Sequence, residues 1–412
     1  MTAPMVEQII ASHTDCGHVT EGDLVTAKVD RVYLQDGNSP TICRLFERYG
    51  FHGVFDPERV AIFFDHSVIA PDKEIAARLR EAQAFARRLG VKVYAAGEGI
   101  SHVVALEEGW YEPGSLTVGS DSHTCTGGVN QCLALGMGAS DCVAAMVTGE
   151  VWLRVPGTVW LDVIGTPSSN THSRDVAFYI LGRYGQSPFL YRSIEWMGGW
   201  FDELSLDACA TVANLGVELG AKCAFLPAGK NRSSMLRPIH PPAEGDPRRL
   251  KVDVEGLPPM ISRPNSPQDV VLIDECKGTA INYVFIGTCT NGRLDDIAQA
   301  ASVLSQGKVK AGVQCLVTPG SKKVFLEAIE LGYIEALIRA GAIISPPGCS
   351  ACLGTQGSIP ATGDRVLSTM NRNFLGRMGN ASAEIYLASP LVAAHAAIKG
   401  EIPSARELEQ WR

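Results

Sequence analysis

Three of the twelve cysteines stand in sequence surroundings that suit a metal site. Cys349 and Cys352 form a C-x2-C pair directly after Pro346-Pro347-Gly348, where a bent backbone can point both thiols the same way. Such a pair alone is compatible with zinc, a redox disulfide or an iron-sulfur cluster. A zinc site would need a second close pair, which the sequence lacks, and a redox pair usually opens a helix early in a βαβ unit.

Cys289 offers a third thiolate, in the segment GTCTN at the predicted end of a strand. The alternative interpretation is a small residue that fills a tight turn. Three thiolates can hold three corners of a 4Fe-4S cluster and leave one iron without a protein ligand. An open iron is a Lewis acid that can take up a hydroxyl and a carboxylate, which indicates catalysis rather than electron transfer.

Acid–base chemistry is suggested by histidines that stand beside carboxylates near predicted strand ends. His66 follows Asp65 directly, and His123 follows Asp121 by two positions. A neighbouring carboxylate favours the charged form of a histidine and fixes its ring, as a proton shuttle requires. His102 follows another predicted strand. Each of these histidines, taken alone, is equally well interpreted as a capping residue of a turn.

Six short runs rich in β-branched residues, each followed by a turn and a helical stretch, predict α/β units with largely parallel sheets. The runs lie at 60–65, 91–96, 115–119, 283–288, 342–345 and 365–369. In such sheets, ligands bind in the crevice outside the carboxyl ends of the strands. We therefore expect the thiols, histidines and carboxylates to converge there.

The predicted organisation is three α/β/α domains, at residues 1–165, 166–269 and 270–412, the third carrying the candidate cysteines. The stretch 227–269 is rich in Pro, Gly and charge and has little periodicity, which predicts a linker or surface excursion at the end of the second domain.

The composition excludes several classes of protein. Of the 412 residues, 46% are hydrophobic and 19% charged, and the net charge is −8, so a nucleic acid or an anionic membrane is not expected as the main partner. No apolar run is long enough to span a membrane and no secretory signal is evident, so the expected location is cytoplasmic, with reduced thiols. Most other cysteines should act as small hydrophobes: Cys16, Cys43, Cys132, Cys142, Cys209, Cys223, Cys276 and Cys315.

Several motifs together resemble the aconitase superfamily. They are GTCTN, GCSAC, NRNFLGR from Asn371, GSDSHTCTGG, the Asp65-His66 pair, NLGVELGA from Asn214 and the closing LASPLVAAHAAIKG. The likeness covers nearly the whole chain and is greatest to the large subunits of the isopropylmalate and homoaconitate isomerases. It implies an aconitase-like fold without the C-terminal swivel domain.

The resemblance also implies roles for individual residues. It assigns the cluster to Cys289, Cys349 and Cys352, and substrate contacts to Ser122, Asn371, Arg372 and Arg377, with Asn371 also bonding the cluster. Catalytic roles fall to Asp65, His66, His102, Asp121, His123, Asn214 and Glu218. Asn214 and Glu218 stand four positions apart, so on a helix they would share one face.

The implied reaction is that of a hydro-lyase, which moves water across a carbon–carbon bond of a small anionic hydroxy acid. The favoured substrate is isopropylmalate, with homocitrate, 2,3-dimethylmalate, maleate or citraconate as alternatives, and the implied partner is a separate small subunit that completes the site. Two alternatives come from other classes. An iron-sensing RNA-binding protein would need a basic face, and an electron-transfer module would need a fourth cysteine ligand.

Overall fold

A computed structural model describes residues 3–230 and 234–410. The strands are β1 (Leu24–Lys28), β2 (Arg31–Gln35), β3 (Val60–Phe63), β4 (Lys92–Tyr94), β5 (Leu116–Gly119), β6 (Leu133–Gly136), β7 (Glu150–Arg154), β8 (Thr158–Ile164), β9 (Ser193–Met197), β10 (Cys223–Phe225), β11 (Arg249–Asp253), β12 (Met260–Ser262), β13 (Val270–Leu272), β14 (Tyr283–Ile286), β15 (Gln314–Val317), β16 (Ile343–Ile344), β17 (Arg365–Ser368) and β18 (Glu384–Leu387).

The α-helices are α1 (Met5–Ser12), α2 (Ser39–Arg48), α3 (Lys73–Leu89), α4 (Ser101–Glu107), α5 (Ala139–Thr148), α6 (Ser173–Tyr184), α7 (Leu206–Asn214), α8 (Thr288–Asn291), α9 (Leu294–Leu304), α10 (Lys322–Glu330), α11 (Tyr333–Ala340), α12 (Pro390–Lys399) and α13 (Ala405–Glu409).

The first sheet has the order β4-β3-β2-β5-β6 and is parallel throughout. Its strands read as continuous apolar runs because both faces are covered. Val32 and Leu34 of β2 pack with α2, α3 and α5 on one face, whereas Tyr33 packs on the other face with residues of α4. A separate antiparallel pair, β1 with β7, lies outside this sheet.

The second and third sheets continue the α/β pattern. The second has the order β10-β9-β8-β11 and is also parallel. The third, β13-β12-β18-β17-β14-β15-β16, is parallel except at one edge, where β12 pairs antiparallel with β13 and β18. The predicted α/β class with largely parallel sheets is therefore confirmed.

The stretch 227–269 is more ordered than its composition predicts. It contributes β11 to the second sheet and β12 to the third. Leu250 and Val252 of β11 pack into the core, although the prolines and glycines around the strand obscure its short alternation. Strand β12 lies before residue 269 but belongs to the third sheet. The predicted domain boundaries stay a proposal.

The polar residues predicted for the site follow the carboxyl ends of strands, as expected. Strands β3, β4, β5, β14, β16 and β17 fall within the six predicted runs. One apolar core contains strand residues of the second and third sheets together with Ile100, Val103 and Val129 from the first part of the chain. It includes the thiol-bearing Cys289, Cys349 and Cys352, so the three parts of the chain meet around these cysteines. Within the described ranges, no helix has both the length and the apolar character needed to cross a bilayer.

Candidate active site

The loop after β3 carries an ion pair that Asp36 holds in place. Nδ1 of His66 lies 2.6 Å from Oδ1 of Asp65. The carboxylate of Asp36, just beyond the end of β2, accepts backbone N–H bonds from Asp65 (3.2 Å), His66 (2.8 Å) and Ser67 (3.0 Å). These bonds fix the direction in which the imidazole points. Asp36 was not predicted, although its position directly after a strand is the same signal that identified the other residues.

The neighbours of the Asp65–His66 pair favour its charged form and oppose the effect of burial. Burial disfavours the imidazolium of His66, but Cys349, Asp65 and Asp121 outweigh it and raise the His66 pKa well above its usual range. Burial also opposes charge on Asp65, yet His66 and the Ser101 amide hold the Asp65 pKa below its usual range. An imidazolium that is stable near neutral pH can donate a proton to a leaving oxygen.

Asp121 connects the three predicted histidines. Its Oδ1 lies 2.8 Å from Nε2 of His102 and accepts the backbone N–H of His123 at 2.8 Å, while its Oδ2 lies 3.5 Å from Nε2 of His66. Burial opposes the carboxylate, but these histidines keep the Asp121 pKa well below its usual range. Asp121 is therefore a carboxylate that can only accept hydrogen bonds.

Glu218 joins His123 to Arg372. Its Oε1 is 2.8 Å from Nε2 of His123 and 2.8 Å from Nε of Arg372. Arg372 also donates from Nη1 to Oγ of Ser122 at 3.0 Å. The guanidinium from the third sheet is thus held against the loop after β5 of the first sheet.

The expectation that Asn214 and Glu218 share a helix face is wrong. Helix α7 ends at Asn214, and a 3₁₀ turn, Leu215–Val217, separates it from Glu218. Both side chains are buried, because the helix end is covered by the segment 122–130 and by α8. Asn214 donates to Thr126 and accepts from Thr290, which places it beside Cys289 rather than on a solvated surface.

The three predicted cysteines are buried together. Cys289 lies in α8, just after β14. Cys349 directly precedes the 3₁₀ turn Ser350–Cys352, and Cys352 is its last residue. Cys352 lies close enough to both other cysteines to contribute to the raised pKa of the Cys289 thiol and of the Cys349 thiol. Thr288 (φ 79°) and Ser350 (φ 50°) adopt left-handed backbone conformations that side chains rarely take, a kind of strain common at functional sites.

Polar groups surround these thiols in a way that suits thiolate ligands. Nδ2 of Asn371 donates to Sγ of Cys289 at 3.4 Å, and Nη2 of Arg377 donates to Sγ of Cys352 at 3.4 Å. Without a cation, burial raises the pKa of Cys289 to about 12 and that of Cys349 well above the usual range. Two further buried polar atoms, Oδ1 of Asn371 and Nε of Arg377, have no hydrogen-bond partner among the described residues. The environment therefore has capacity for an additional group.

A cavity of about 330 Å³ opens beside the cysteines, and Asp121, Ser122 and His123 line it together with His66. The same cavity is lined by Arg372 and Arg377. One oxygen of Asp65, one ring nitrogen of His66 and the sulfur of Cys349 lie within 4.8 Å of one another. The predicted residues that do not themselves line the cavity are Asp65, His102, Asn214, Glu218, Asn371, Cys289, Cys349 and Cys352. The arrangement can bind an anionic ligand, deliver a proton and hold a metal.

Most of the eight cysteines expected to be small hydrophobes are buried, but Cys16 is exposed. It lies in an exposed turn after α1. None of the twelve cysteines, all of which lie within the described residues, forms a disulfide bond.

Sequence comparisons match nearly the whole chain to one family. The model of the aconitase family (aconitate hydratase) matches residues 7–244 and 274–400. A protein of Archaeoglobus fulgidus named 3-isopropylmalate dehydratase large subunit 2 is 37% identical over 94% of this chain and 95% of its own length. One from Pyrococcus furiosus, 3-isopropylmalate dehydratase large subunit 1, is 38% identical over 98% of each chain. A probable methanogen homoaconitase large subunit from Methanothermobacter thermautotrophicus is 36% identical over 98% of this chain and 97% of its own length.

The crystal structure of holo-form aconitase X from Thermococcus kodakaraensis shares the fold, with a TM-score of 0.53 over 87% of each chain at 14% identity. Together with the family match, the fold and site define a hydro-lyase of α/β architecture. This chain belongs to the aconitase family. The family and enzyme class predicted from the motifs are thereby confirmed.

Proposed function

We propose that this chain is the catalytic large subunit of an enzyme that dehydrates and rehydrates a hydroxy di- or tricarboxylic acid, most directly 3-isopropylmalate. The observation that carries the proposal is the meeting of Cys349 with the Asp65–His66 ion pair, whose donor atoms lie within 4.8 Å of one another. A metal held by Cys349 and the proton donor His66 can then act on the same bond of the substrate. The names of the relatives from Archaeoglobus fulgidus and Pyrococcus furiosus favour isopropylmalate as substrate.

The proposed cofactor is a 4Fe-4S cluster held by Cys289, Cys349 and Cys352. The three buried thiols, the N–H donors of Asn371 and Arg377 aimed at two of the sulfurs, and the unpaired atoms nearby fit such a group. When bound, a cluster with one open iron supplies a Lewis acid for the departing hydroxyl and a carboxylate.

The remaining steps fall to the chain's own side chains. His66, kept charged by Asp65, donates a proton from its Nε2 to the leaving hydroxyl. Its Nδ1 is not available, because it is hydrogen-bonded to Asp65. Arg377 and Arg372 bind substrate carboxylates, because a planar guanidinium matches two carboxylate oxygens. Ser122, which Arg372 orients, adds a hydrogen bond to the same carboxylate.

A separate small subunit is proposed to cover the cavity and supply the base that removes the proton from carbon. The relatives' names, which contain "large subunit", support a divided enzyme. The two carboxylates that line the cavity are already engaged: Asp36 accepts three backbone N–H bonds, and Asp121 accepts from His102 and from the backbone of His123. The large subunit alone is therefore expected to bind the cluster and the acid but to turn over poorly.

The first test is anaerobic reconstitution with iron and sulfide, followed by electron paramagnetic resonance with and without 2-isopropylmalate. A cluster whose spectrum shifts when the acid is added is expected. Cys352→Ser should abolish the cluster signal. Cys276→Ser should leave it unchanged, because Cys276 is buried in a separate apolar cluster that contains none of the three proposed ligands. A wild-type protein that takes up no cluster would refute the assignment of the cysteines.

Homocitrate is the second candidate substrate, favoured by the Methanothermobacter thermautotrophicus relative. Turnover with the small subunit should be compared for isopropylmalate and homocitrate under one set of conditions. A higher kcat/KM for homocitrate would replace the first candidate, while no turnover of any hydroxy acid would refute the hydro-lyase proposal.

A further inference from the structure

Two buried tyrosines contact the side of His102 that faces away from the cavity. Oη of Tyr33 lies 2.9 Å from Nδ1 of His102, 2.7 Å from Oη of Tyr111 and 3.1 Å from Oγ1 of Thr124. Oη of Tyr111 is itself 3.5 Å from the same nitrogen. Tyr33 is fully buried and Tyr111 is 1% exposed, so water does not reach this nitrogen freely.

The hydrogen atoms around His102 can be assigned. Asp121 is a carboxylate, so Nε2 of His102 carries a hydrogen and donates it. Thr124 donates its own hydroxyl hydrogen to the carbonyl of Asp121 at 2.6 Å, so towards Tyr33 it only accepts. The contacts with the tyrosines therefore bear on whether Nδ1 of His102 carries a hydrogen.

Both protonation states of His102 can be satisfied by turning the two hydroxyls. When Nδ1 is bare, Tyr33 donates to it and Tyr111 donates to Tyr33. When Nδ1 carries a hydrogen, Tyr33 accepts it and redirects its own hydrogen to Thr124. In neither arrangement does a polar atom at this nitrogen lack a partner, which in a buried site would carry a large penalty.

We propose that the Tyr33–Tyr111 hydroxyl pair positions His102 and stabilises both the neutral and the charged form of its ring, with Nε2–H held against Asp121 in both. This inference rests on the proposed hydro-lyase function. The tyrosines do not line the cavity and act through His102 and Asp121, which in turn contacts His66. They are positioning residues, and nothing in their sequence context marks them, since Tyr33 lies inside a strand.

The charge state of His102 also depends on its other neighbours. Asp121 faces Nε2, the ring of His123 lies 6.3 Å away between centroids, and Asp65 is near enough to feel the charge of His102. Replacing Tyr33 by Phe changes none of these groups. It removes the acceptor for an N–H on Nδ1, and because hydrogen bonds of charged groups are the stronger ones, the imidazolium loses more than the neutral ring.

The test compares Tyr33→Phe with Tyr94→Phe in the cluster-loaded enzyme with its small subunit. Tyr94 belongs to the same buried aromatic group, but its hydroxyl accepts from Nε1 of Trp110 at 2.7 Å, and the described hydrogen bonds do not link it to His102. Both variants lose one buried hydroxyl, so both should show a similar drop in melting temperature. Only Tyr33→Phe should lower kcat, by about tenfold with KM nearly unchanged, and move a limb of the pH–rate profile by about one pH unit.

A second measurement reads His102 directly. In protein carrying ¹⁵N-labelled histidine, with His102→Gln used for assignment, the titration of His102 should shift to lower pH in Tyr33→Phe and stay unchanged in Tyr94→Phe. Tyr111→Phe should give a smaller shift, because its oxygen is farther from Nδ1. Equal kinetic changes in Tyr33→Phe and Tyr94→Phe, or an unshifted titration in Tyr33→Phe, would overturn the inference. An inactive wild-type enzyme would instead count against the proposed function.

Discussion

Asp36 offers a test of how one carboxylate organises the catalytic loop. Oδ1 accepts from two backbone amides and Oδ2 from a third, so an amide group in its place would turn an N–H against a backbone N–H. Burial, followed by the neighbouring Asp65, raises the Asp36 pKa to about 6, and its own hydrogen bonds only partly offset them. We expect Asp36→Asn to lower kcat by about 10- to 100-fold with cluster content retained.

The matched control is Asp30→Asn, at the opposite end of β2. Asp30 also accepts a backbone bond, from Leu116 at 2.8 Å, and contacts His13, but it lies away from the cavity. Steady-state kinetics and iron content should be measured for both variants. If Asp30→Asn reduced kcat as much as Asp36→Asn did, the effect would be one of stability rather than of loop position.

Arg377 tests the proposed carboxylate contact. Arg377 lines the cavity, one Nη donates to Cys352, and the buried Nε has no partner among the described residues, so the guanidinium has a donor left unused. A lysine keeps the charge but loses the planar fork. Arg377→Lys is therefore expected to raise KM by about tenfold or more while iron content falls little. Arg80→Lys on α3, which does not line the cavity, should leave KM unchanged, and an unaltered KM in Arg377→Lys would exclude the contact.

At the scale of elements, His395 in α12 gives a pH-dependent stability that can be isolated. Burial lowers its pKa to about 4, only weakly opposed by Glu407. Because the folded-state pKa lies below the unfolded value, the unfolded chain binds the proton first, and stability is lost as the pH falls from about 6.5 towards 4. Over that range His395 should cost the wild type on the order of 2 kcal/mol.

Urea denaturation of wild type and His395→Gln between pH 7 and pH 4.5 measures this loss. Gln stays neutral throughout, so the difference in unfolding free energy between the two proteins should shrink or reverse on acidification. Parallel pH curves for the two proteins would show that His395 is protonated equally in the folded and unfolded states.

The strands and loops explain which site residues the sequence could reveal. Cys349 and Cys352 are close in sequence, and Asp65 is next to His66. The members of each pair must therefore lie near each other, and the sequence alone could reveal them. Tyr33 and Asp36 act on residues 69 and about 30 positions away, and only the pairing of parallel strands brings them there. The helix expected to hold Asn214 and Glu218 together ends early, because its terminus packs against segments from the first and third sheets.

At the scale of the whole molecule, the backbone of the first part of the chain packs tightly against the backbone of the other two parts. A Cβ on Gly128 would lie 1.7 Å from the carbonyl oxygen of Ala224 in the second sheet. A Cβ on Gly99 would lie 2.5 Å from Cα of Ser321 in the third part of the chain. Gly128 lies in the 3₁₀ segment Ser122–Asn130, which begins with Ser122 and His123, so the contact with β10 also sets the depth at which these two residues enter the cavity.

Gly128→Ala should therefore separate the first sheet from the second. Since the obstacle is backbone and cannot turn away, we expect a loss of about 2 kcal/mol or more in unfolding free energy. Activity should fall with it, because Glu218 and Arg372 reach His123 and Ser122 from the other two parts of the chain. Gly53→Ala is the control, as a Cβ there meets nothing within 4 Å. Denaturant unfolding and kcat should be measured on both, and a Gly128→Ala protein as stable and active as Gly53→Ala would show that the sheets can shift apart without loss of the site.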